Sequence, residues 1–254
     1  MDLGLKDKVA VVTGGSEGIG KAIALGLARE GARVAICARR DDVLQKTADE
    51  IRNETDSEVL ASVVDMCEQA EIDRFIAEVV ERWGTVHVVV NNMGMAKKAL
   101  FEELTREDWD RTLEGNLFST IQCTRNVLPH MRKQKWGRVI NISAVSGREP
   151  SPMLMASNVA KSGMISFSKT LAAEVAGDNI LVNCICPGRI LTPQILRLFN
   201  EEQRASIATA QSPLQRFGEA EELANLAVFL ASERASYLTG TTIPVDGGIV
   251  RALY

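Results

Sequence analysis

Apolar residues fall into two alternating patterns along the chain. Short unbroken runs at Lys8–Thr13, Arg33–Ala38, Val59–Val64, Val86–Asn91, Arg138–Ser143, Ile180–Cys186 and Thr241–Val245 read as strands. Cores such as VAVV and VHVVV are apolar throughout, as strands covered on both faces should be. Between most of them lie helix-period stretches: Gly18–Glu30, Asp41–Asn53, Glu68–Trp83, Arg106–Lys135, Met153–Ala176 and Glu219–Ser232. Alternation at this spacing predicts parallel strands joined by right-handed crossovers. The expected fold is α/β, a single doubly wound domain over residues 1–254 with about seven strands and helices on both faces. No linker, repeat or low-complexity stretch interrupts it. Regular patterning fades over Pro187–Pro193 and Asn200–Pro213, which are expected to be the mobile segments. Ligands in such sheets bind beyond the carboxyl ends of the strands, at the point where strand order reverses.

Composition narrows the function. Of the 254 residues, 46% are hydrophobic and 24% charged, enough for a sizeable core and against whole-chain disorder. The net charge of −4 supplies no basic excess to neutralise phosphates, so nucleic acid is not an expected partner. No run approaches the roughly 18 apolar residues of a membrane span. The start, Met1 to Val12, carries Asp2, Lys6, Asp7 and Lys8 before its first apolar run, unlike a signal peptide. The cysteines, Cys37, Cys67, Cys123, Cys184 and Cys186, are odd in number, which fits core thiols in a reducing cytoplasm better than a disulfide framework. Cys184 and Cys186 form C-x-C, but no second pair follows and His87 and His130 are remote, so no metal site is expected.

The first strand runs into Thr13-Gly14-Gly15-Ser16-Glu17-Gly18-Ile19-Gly20 and then a helix. Glycines let the backbone turn tightly and approach a pyrophosphate, while the helix N-terminus offers free N–H groups. Tight strand-to-helix packing would also use glycine. The setting, a buried strand opening into the first helix of a βαβ unit, points to a Rossmann-type dinucleotide site.

This turn resembles the T-G-x-x-x-G-x-G turn of the short-chain dehydrogenase/reductase family. Further matches follow in order: Asp65 after the third strand, Asn91-Asn92-Met93-Gly94 (N-N-A-G in the family), Asn116 in EGNLFST, Lys161, Pro187-Gly188-Arg189-Ile190-Leu191-Thr192 and Asp246-Gly247-Gly248. The resemblance covers essentially the whole chain and is nearest to the 3-oxoacyl-acyl-carrier-protein reductase-like branch. It implies that Gly14, Ser16, Glu17, Gly18, Ile19 and Gly20 cradle the cofactor and that Asp65 hydrogen-bonds the adenine. Asn92 and Gly94 would line it near the fourth strand. Pro187, Gly188, Ile190 and Thr192 would border the nicotinamide, and Lys161 would hold its ribose. Each has a plainer alternative: Asp65 as a strand-end cap, Asn92 as a turn former, Thr192 as an N-cap ahead of Pro193.

The second strand ends at Ala38-Arg39-Arg40. Ala38 stands where the family usually places the carboxylate that binds a ribose 2′-OH, and Arg39 suits a 2′-phosphate by charge and bidentate geometry. NADP(H) is therefore favoured, with NAD(H) the alternative. Glu17 opposes this choice, since it stands where many NADP-using relatives carry Arg or Lys and a carboxylate repels the phosphate. Arg39 as an adenine-stacking group and Arg40 as plain surface charge are the other readings.

The match fails at the catalytic positions. The family works with Asn, Ser, Tyr and Lys, the last two as Y-x-x-x-K on one helical face. Here Lys161 is present, but the tyrosine position is Ser157, and the shifted tyrosine position of the enoyl-reductase branch is Leu154. Tyr237 and Tyr254 lie far along the chain. Ala144 replaces the family's serine; alternation points Ser143 away from it, and Ser146 reaches the site only if the loop bends. Mitochondrial 2,4-dienoyl-CoA reductases also resemble S-x-x-x-K here but use an upstream tyrosine, and Ser146–Met155 contains none. Asn116, Ser157 and Lys161 are left as the catalytic candidates, their plainer readings being a buried amide in a kinked helix for Asn116 and an exposed charge for Lys161.

The expected function is an NAD(P)(H)-dependent oxidoreductase that moves a hydride between the nicotinamide and a carbonyl, hydroxyl or activated enoyl group, with a non-standard proton relay. A catalytically quiet dinucleotide-binding sensor or partner protein is one alternative, and a lyase or isomerase on the same scaffold is another. The resemblance implies a homotetramer or homodimer built on the two long helices near Asn116 and Lys161. Residues Leu191–Pro213 would cover a small-molecule pocket. Met153, Leu154, Met155, Leu196, Leu198 and Phe199 would make it fit an apolar or acyl-bearing substrate, unless they simply pack the core.

Overall fold

The computed structural model describes residues 2–253. Met1 and Tyr254, and with them the two ends of the domain expected over 1–254, lie outside the described residues. In chain order the elements are β1 (Val9–Thr13), α1 (Gly18–Arg29), β2 (Arg33–Ala38), α2 (Asp41–Thr55), β3 (Val59–Val63), α3 (Gln69–Trp83) and β4 (Val88–Asn91). Then come α4 (Arg106–Leu113), α5 (Ser119–Lys133), β5 (Gly137–Ile142), α6 (Met155–Val175) and β6 (Ile180–Pro187). The chain closes with β7 (Ile190–Leu191), α7 (Pro193–Leu198), α8 (Glu201–Gln211), β8 (Gly218–Glu219), α9 (Ala220–Ala231) and β9 (Thr242–Val245).

Seven strands form one parallel sheet in the order β3-β2-β1-β4-β5-β6-β9. This is the Rossmann-type architecture expected from the strand pattern. Strands β1, β4, β5 and β6 are buried along their whole length, because helices cover both faces. Ile23 and Leu27 of α1, Leu44 of α2 and Leu223 of α9 pack one face. Phe75 of α3, Val127 and Met131 of α5 and Val175 of α6 pack the other. Strand β1 pairs with β2 on one side and β4 on the other, so the strand order reverses there and a cleft opens beyond their carboxyl ends.

Three stretches differ from the sequence pattern. The helix expected over Arg106–Lys135 is broken by a π-helical turn at Glu114–Phe118 between α4 and α5. One extra residue in a turn leaves the amphipathic spacing almost unchanged, so periodicity does not reveal it. Asn200–Pro213, expected to be irregular, holds α8. Asn200 Oδ1 accepts from Gln203 N–H while Gln203 Oε1 accepts from Asn200 N–H, a reciprocal cap that starts the helix, and Glu201 and Glu202 favour its first turn. Only Ala208 of α8 is buried, which is why no apolar stripe marked it. Within Pro187–Pro193, Ile190 and Leu191 pair with Gly218 and Glu219 as the two-stranded β7–β8 ladder.

The β1-to-α1 turn is closed as tightly as backbone allows. A Cβ at Gly20 would overlap the Gly14 carbonyl and stand 2.5 Å from Asn92 Nδ2. Gly20→Ala is therefore expected to cost about 1–3 kcal/mol, by the logic of an overpacked site that backbone cannot vacate. Urea unfolding of the variant checks this, and an unchanged midpoint contradicts the packing described.

Candidate active site and cofactor cleft

The turns after β1 and β4 are stitched across the switch point. Thr13 Oγ1 accepts from the N–H groups of Asn92 (3.0 Å) and Met93 (3.1 Å). In return Asn92 Nδ2 donates to the Thr13 carbonyl at 3.0 Å and the Gly14 carbonyl at 3.2 Å. Gly14 and Gly18 have φ of +64° and +60°, the left-handed region that a side chain disfavours. Thr47 of α2 steadies the loop from outside, its hydroxyl donating to the Ser16 carbonyl at 2.7 Å. Above this floor lies a cleft of about 680 Å³. Of the expected cofactor residues, Gly14, Ser16, Glu17, Arg39, Asn92 and Gly94 line it.

The others are placed around it. Ile19 packs its side chain onto the core, and Gly20 is buried at the start of α1. Thr192 lies against Gly18, whose missing Cβ would stand 3.2 Å from Thr192 Cγ2. The Thr192 hydroxyl accepts from Ile195 N–H at 3.4 Å and caps α7, the plainer role foreseen for it. Pro187 ends β6, Gly188 abuts the Asp246 backbone, and Ile190 is buried in β7. Asp65 also performs its plainer role, its Oδ1 accepting from Cys67 N–H at 3.0 Å just past β3. A glycine floor bare of side chains, a helix N-terminus and guanidinium groups at one rim together fit a phosphate-bearing dinucleotide.

Ser157 and Lys161 stand one turn apart on the buried face of α6. Lys161 is not the exposed charge its plainer reading allowed. Its Nζ donates to the Ile142 carbonyl at 2.9 Å, at the end of β5. Desolvation dominates here and pulls the ammonium down to about 8. A Cβ on Gly94 would stand 3.3 Å from both Lys161 Nζ and Asn116 Oδ1, so the bare glycine lets these two groups pack close behind a segment that lines the cleft.

Asn116 sits in the π-helical turn with its amide fully engaged. Nδ2 donates to the carbonyls of Met95 (2.9 Å) and Thr112 (2.8 Å), and Oδ1 accepts from Met95 N–H at 3.3 Å. It clamps the segment after β4 to the helix, the buried-amide role foreseen as its alternative. Ser143 turns away as alternation required, donating to the Lys161 carbonyl at 2.9 Å. Ser146 is buried in a single 3-10 turn over Val145–Gly147. Tyr237 is fully exposed, so it supplies no phenol to the site.

Core packing is excluded for four of the apolar lining candidates: Met153, Met155, Leu196 and Leu198 are all exposed. Met153 adopts φ of +62°, unusual for a bulky side chain, and its carbonyl is held by Ala99 N–H at 2.9 Å. Arg40 is not plain surface charge. Its Nη2 pairs with Glu17 Oε2 at 2.9 Å, and Arg197 Nη2 pairs with Glu17 Oε1 at 2.8 Å. Arg197 first, with Arg40, holds the Glu17 carboxyl below its ordinary range against the opposing effect of desolvation. Sequence reading did not single out Arg197, which is 180 positions from its partner and lies on a helix with no buried residue.

Comparison with known proteins agrees with this arrangement. The profile of the family described as enoyl-(acyl carrier protein) reductase matches residues 14–250. A 3-oxoacyl-[acyl-carrier-protein] reductase of Thermotoga maritima is 38% identical over 249 residues, covering 97% of this chain and 99% of the relative. A D-beta-hydroxybutyrate dehydrogenase of Rhizobium meliloti is 35% identical over 252 residues, covering 95% and 98%. Among solved structures, an L-sorbose reductase of Gluconobacter frateurii, complexed with NADPH and L-sorbose, superposes with a TM-score of 0.96 at 37% identity over 100% of both chains. The chain belongs to the short-chain dehydrogenase/reductase family of NAD(P)-dependent oxidoreductases.

Proposed function

We propose that the protein is an NADP(H)-dependent oxidoreductase acting on a carbonyl, hydroxyl or activated enoyl group of an apolar or acyl-bearing small molecule, with Lys161 as its proton source. The observation that carries this reading is an ammonium buried directly behind Gly94, which lines the cleft, one turn from Ser157 and bonded to a carbonyl. Gly14, Ser16, Gly18, Ile19 and Gly20 would hold the pyrophosphate, Arg39 the 2′-phosphate and Asp65 the adenine. Asn92, Gly94, Pro187, Gly188, Ile190 and Thr192 would border the nicotinamide half. When bound, the cofactor supplies or accepts the hydride.

The chain's own residues handle the proton. Burial pulls Lys161 down to about 8, closer to the range where a group both holds and releases a proton readily. Ser157 is too weak an acid to replace a phenol; its hydroxyl orients the water that passes the proton from Lys161 Nζ to the substrate oxygen of a carbonyl, or to carbon for an enoyl group. Asn116 keeps the Met95 backbone in place beside them. NADP(H) is supported by Ala38 and Arg39 and by the NADPH bound to the L-sorbose reductase. The acyl-bearing class is supported by the Thermotoga maritima relative's name and by the exposed Met153, Met155, Leu196 and Leu198.

The proposal extends to assembly and location. Phe118 beside Asn116 and Val159 on α6 are exposed, which favours a homotetramer or homodimer through these helices. Five free cysteines favour the reducing cytoplasm, and no helix among the described residues is long and apolar enough to cross a membrane. The continuous sheet supports one domain over 1–254.

NADPH consumption on ketones, 3-oxoacyl thioesters and dienoyl thioesters tests the reading. Reduction needs the protonated lysine, so kcat/KM is expected to be level below a pH of about 8 and to fall above it. Lys161→Ala should remove that inflection, lower kcat/KM by roughly 10²–10⁴ and weaken cofactor binding. Ser157→Ala should leave cofactor affinity unchanged and slow turnover less. If Ser157→Ala abolishes activity while Lys161→Ala is mild, the serine is the acid and the assignment is wrong. Tight NADPH binding with no turnover on any of these would favour a quiet binding protein.

A further inference from the structure

We propose that Arg197 is a specificity-determining residue for the cofactor's 2′-phosphate, delivered by the helix over the cleft and aligned by Glu17. The inference rests on the NADP(H) reading and adds to it a residue from the opposite end of the chain. Three guanidinium groups, Arg39, Arg40 and Arg197, border the same cleft, with Glu17 among them. Each oxygen of the Glu17 carboxylate takes one guanidinium, Oε2 from Arg40 at 2.9 Å and Oε1 from Arg197 at 2.8 Å. The carboxylate that looked repulsive to a phosphate is therefore already offset, and the rim keeps a net positive charge.

The geometry is that of an anion-binding fork. Arg40 and Arg197 each direct a single Nη2 at Glu17, and a guanidinium has five N–H donors, so both retain donors for a second anion. A phosphate dianion matches the surplus of two positive charges left by three guanidinium groups against one carboxylate. As a stabilising element alone, a half-exposed ion pair between α7 and the glycine turn would count for little. Its placement gives it another use. Arg197 reaches the mouth of the cleft from α7, which Thr192 and Pro193 start at a fixed point against Gly18. A phosphate held there by Arg197 draws on the covering helix, so the phosphorylated cofactor gains a contact that the unphosphorylated form lacks.

Fluorescence titration of NADPH and NADH, with adenosine 2′,5′-bisphosphate and AMP as competitors, tests this on the native chain and on Arg197→Ala. Arg197 is exposed, and a thermal melt confirms that the variant folds. Arg197→Ala should weaken NADPH and the bisphosphate about tenfold, the loss of one charge-assisted hydrogen-bonding group, and leave NADH and AMP within about twofold. Arg197→Lys should recover part of the loss. If the native chain prefers NADPH and Arg197→Ala weakens both cofactors alike, or neither, the assignment of Arg197 falls while the NADP(H) reading stands. If the native chain binds NADPH and NADH equally, the NADP(H) reading itself falls, and this inference with it.

Discussion

The bond from Lys161 Nζ to the Ile142 carbonyl ties the middle of α6 to the end of β5 inside a desolvated corner of the cleft. Burying an ammonium costs free energy unless it is paired or surrenders its proton, and here the partner is a neutral carbonyl. Burial therefore pulls the lysine from its ordinary value down to about 8. One turn from Ser157, its ammonium lies 3.3 Å from where a Cβ on Gly94 would stand.

Everything that places this lysine is ordinary α/β architecture. Strand β5 is buried on both faces and fixes Ile142. Helix α6 packs Val175 into the core and presents Ser157 and Lys161 on one face. Lys161 and Asn116 pack close to the turn after β4 because it carries glycine at position 94, and that turn is held to the turn after β1 by the reciprocal bonds of Thr13 and Asn92. The cofactor floor and the buried Lys161 thus share one framework, and a shift in the Asn92 turn would disturb both.

Much of this was legible in the sequence, for identifiable reasons. Buried parallel strands announce themselves as unbroken apolar runs, and the glycine turn by its place after the first of them. Ser157 and Lys161 were legible through helical spacing, although burial of Lys161 was not, since a lysine at a helix position usually faces water. The π-helical turn around Asn116 was hidden because it inserts one residue without breaking the stripe. Helix α8 was hidden because its stability at the N-terminus comes from Asn200 and Gln203 rather than from apolar spacing. The Arg40–Glu17–Arg197 cluster is a purely tertiary meeting, and reading Glu17 alone gave its sign of influence without the charges that offset it.

The central claim concerns one proton, and it is measured most directly by NMR titration of the chain labelled with ¹³C and ¹⁵N in lysine. Lys161 is assigned by the resonance missing from Lys161→Met, and its side-chain shifts are followed with pH. A midpoint of about 8 is the expected result. Titration at the ordinary lysine value of 10.5 would contradict it, since burial would then not have lowered the group and the proposed proton source would lose its basis.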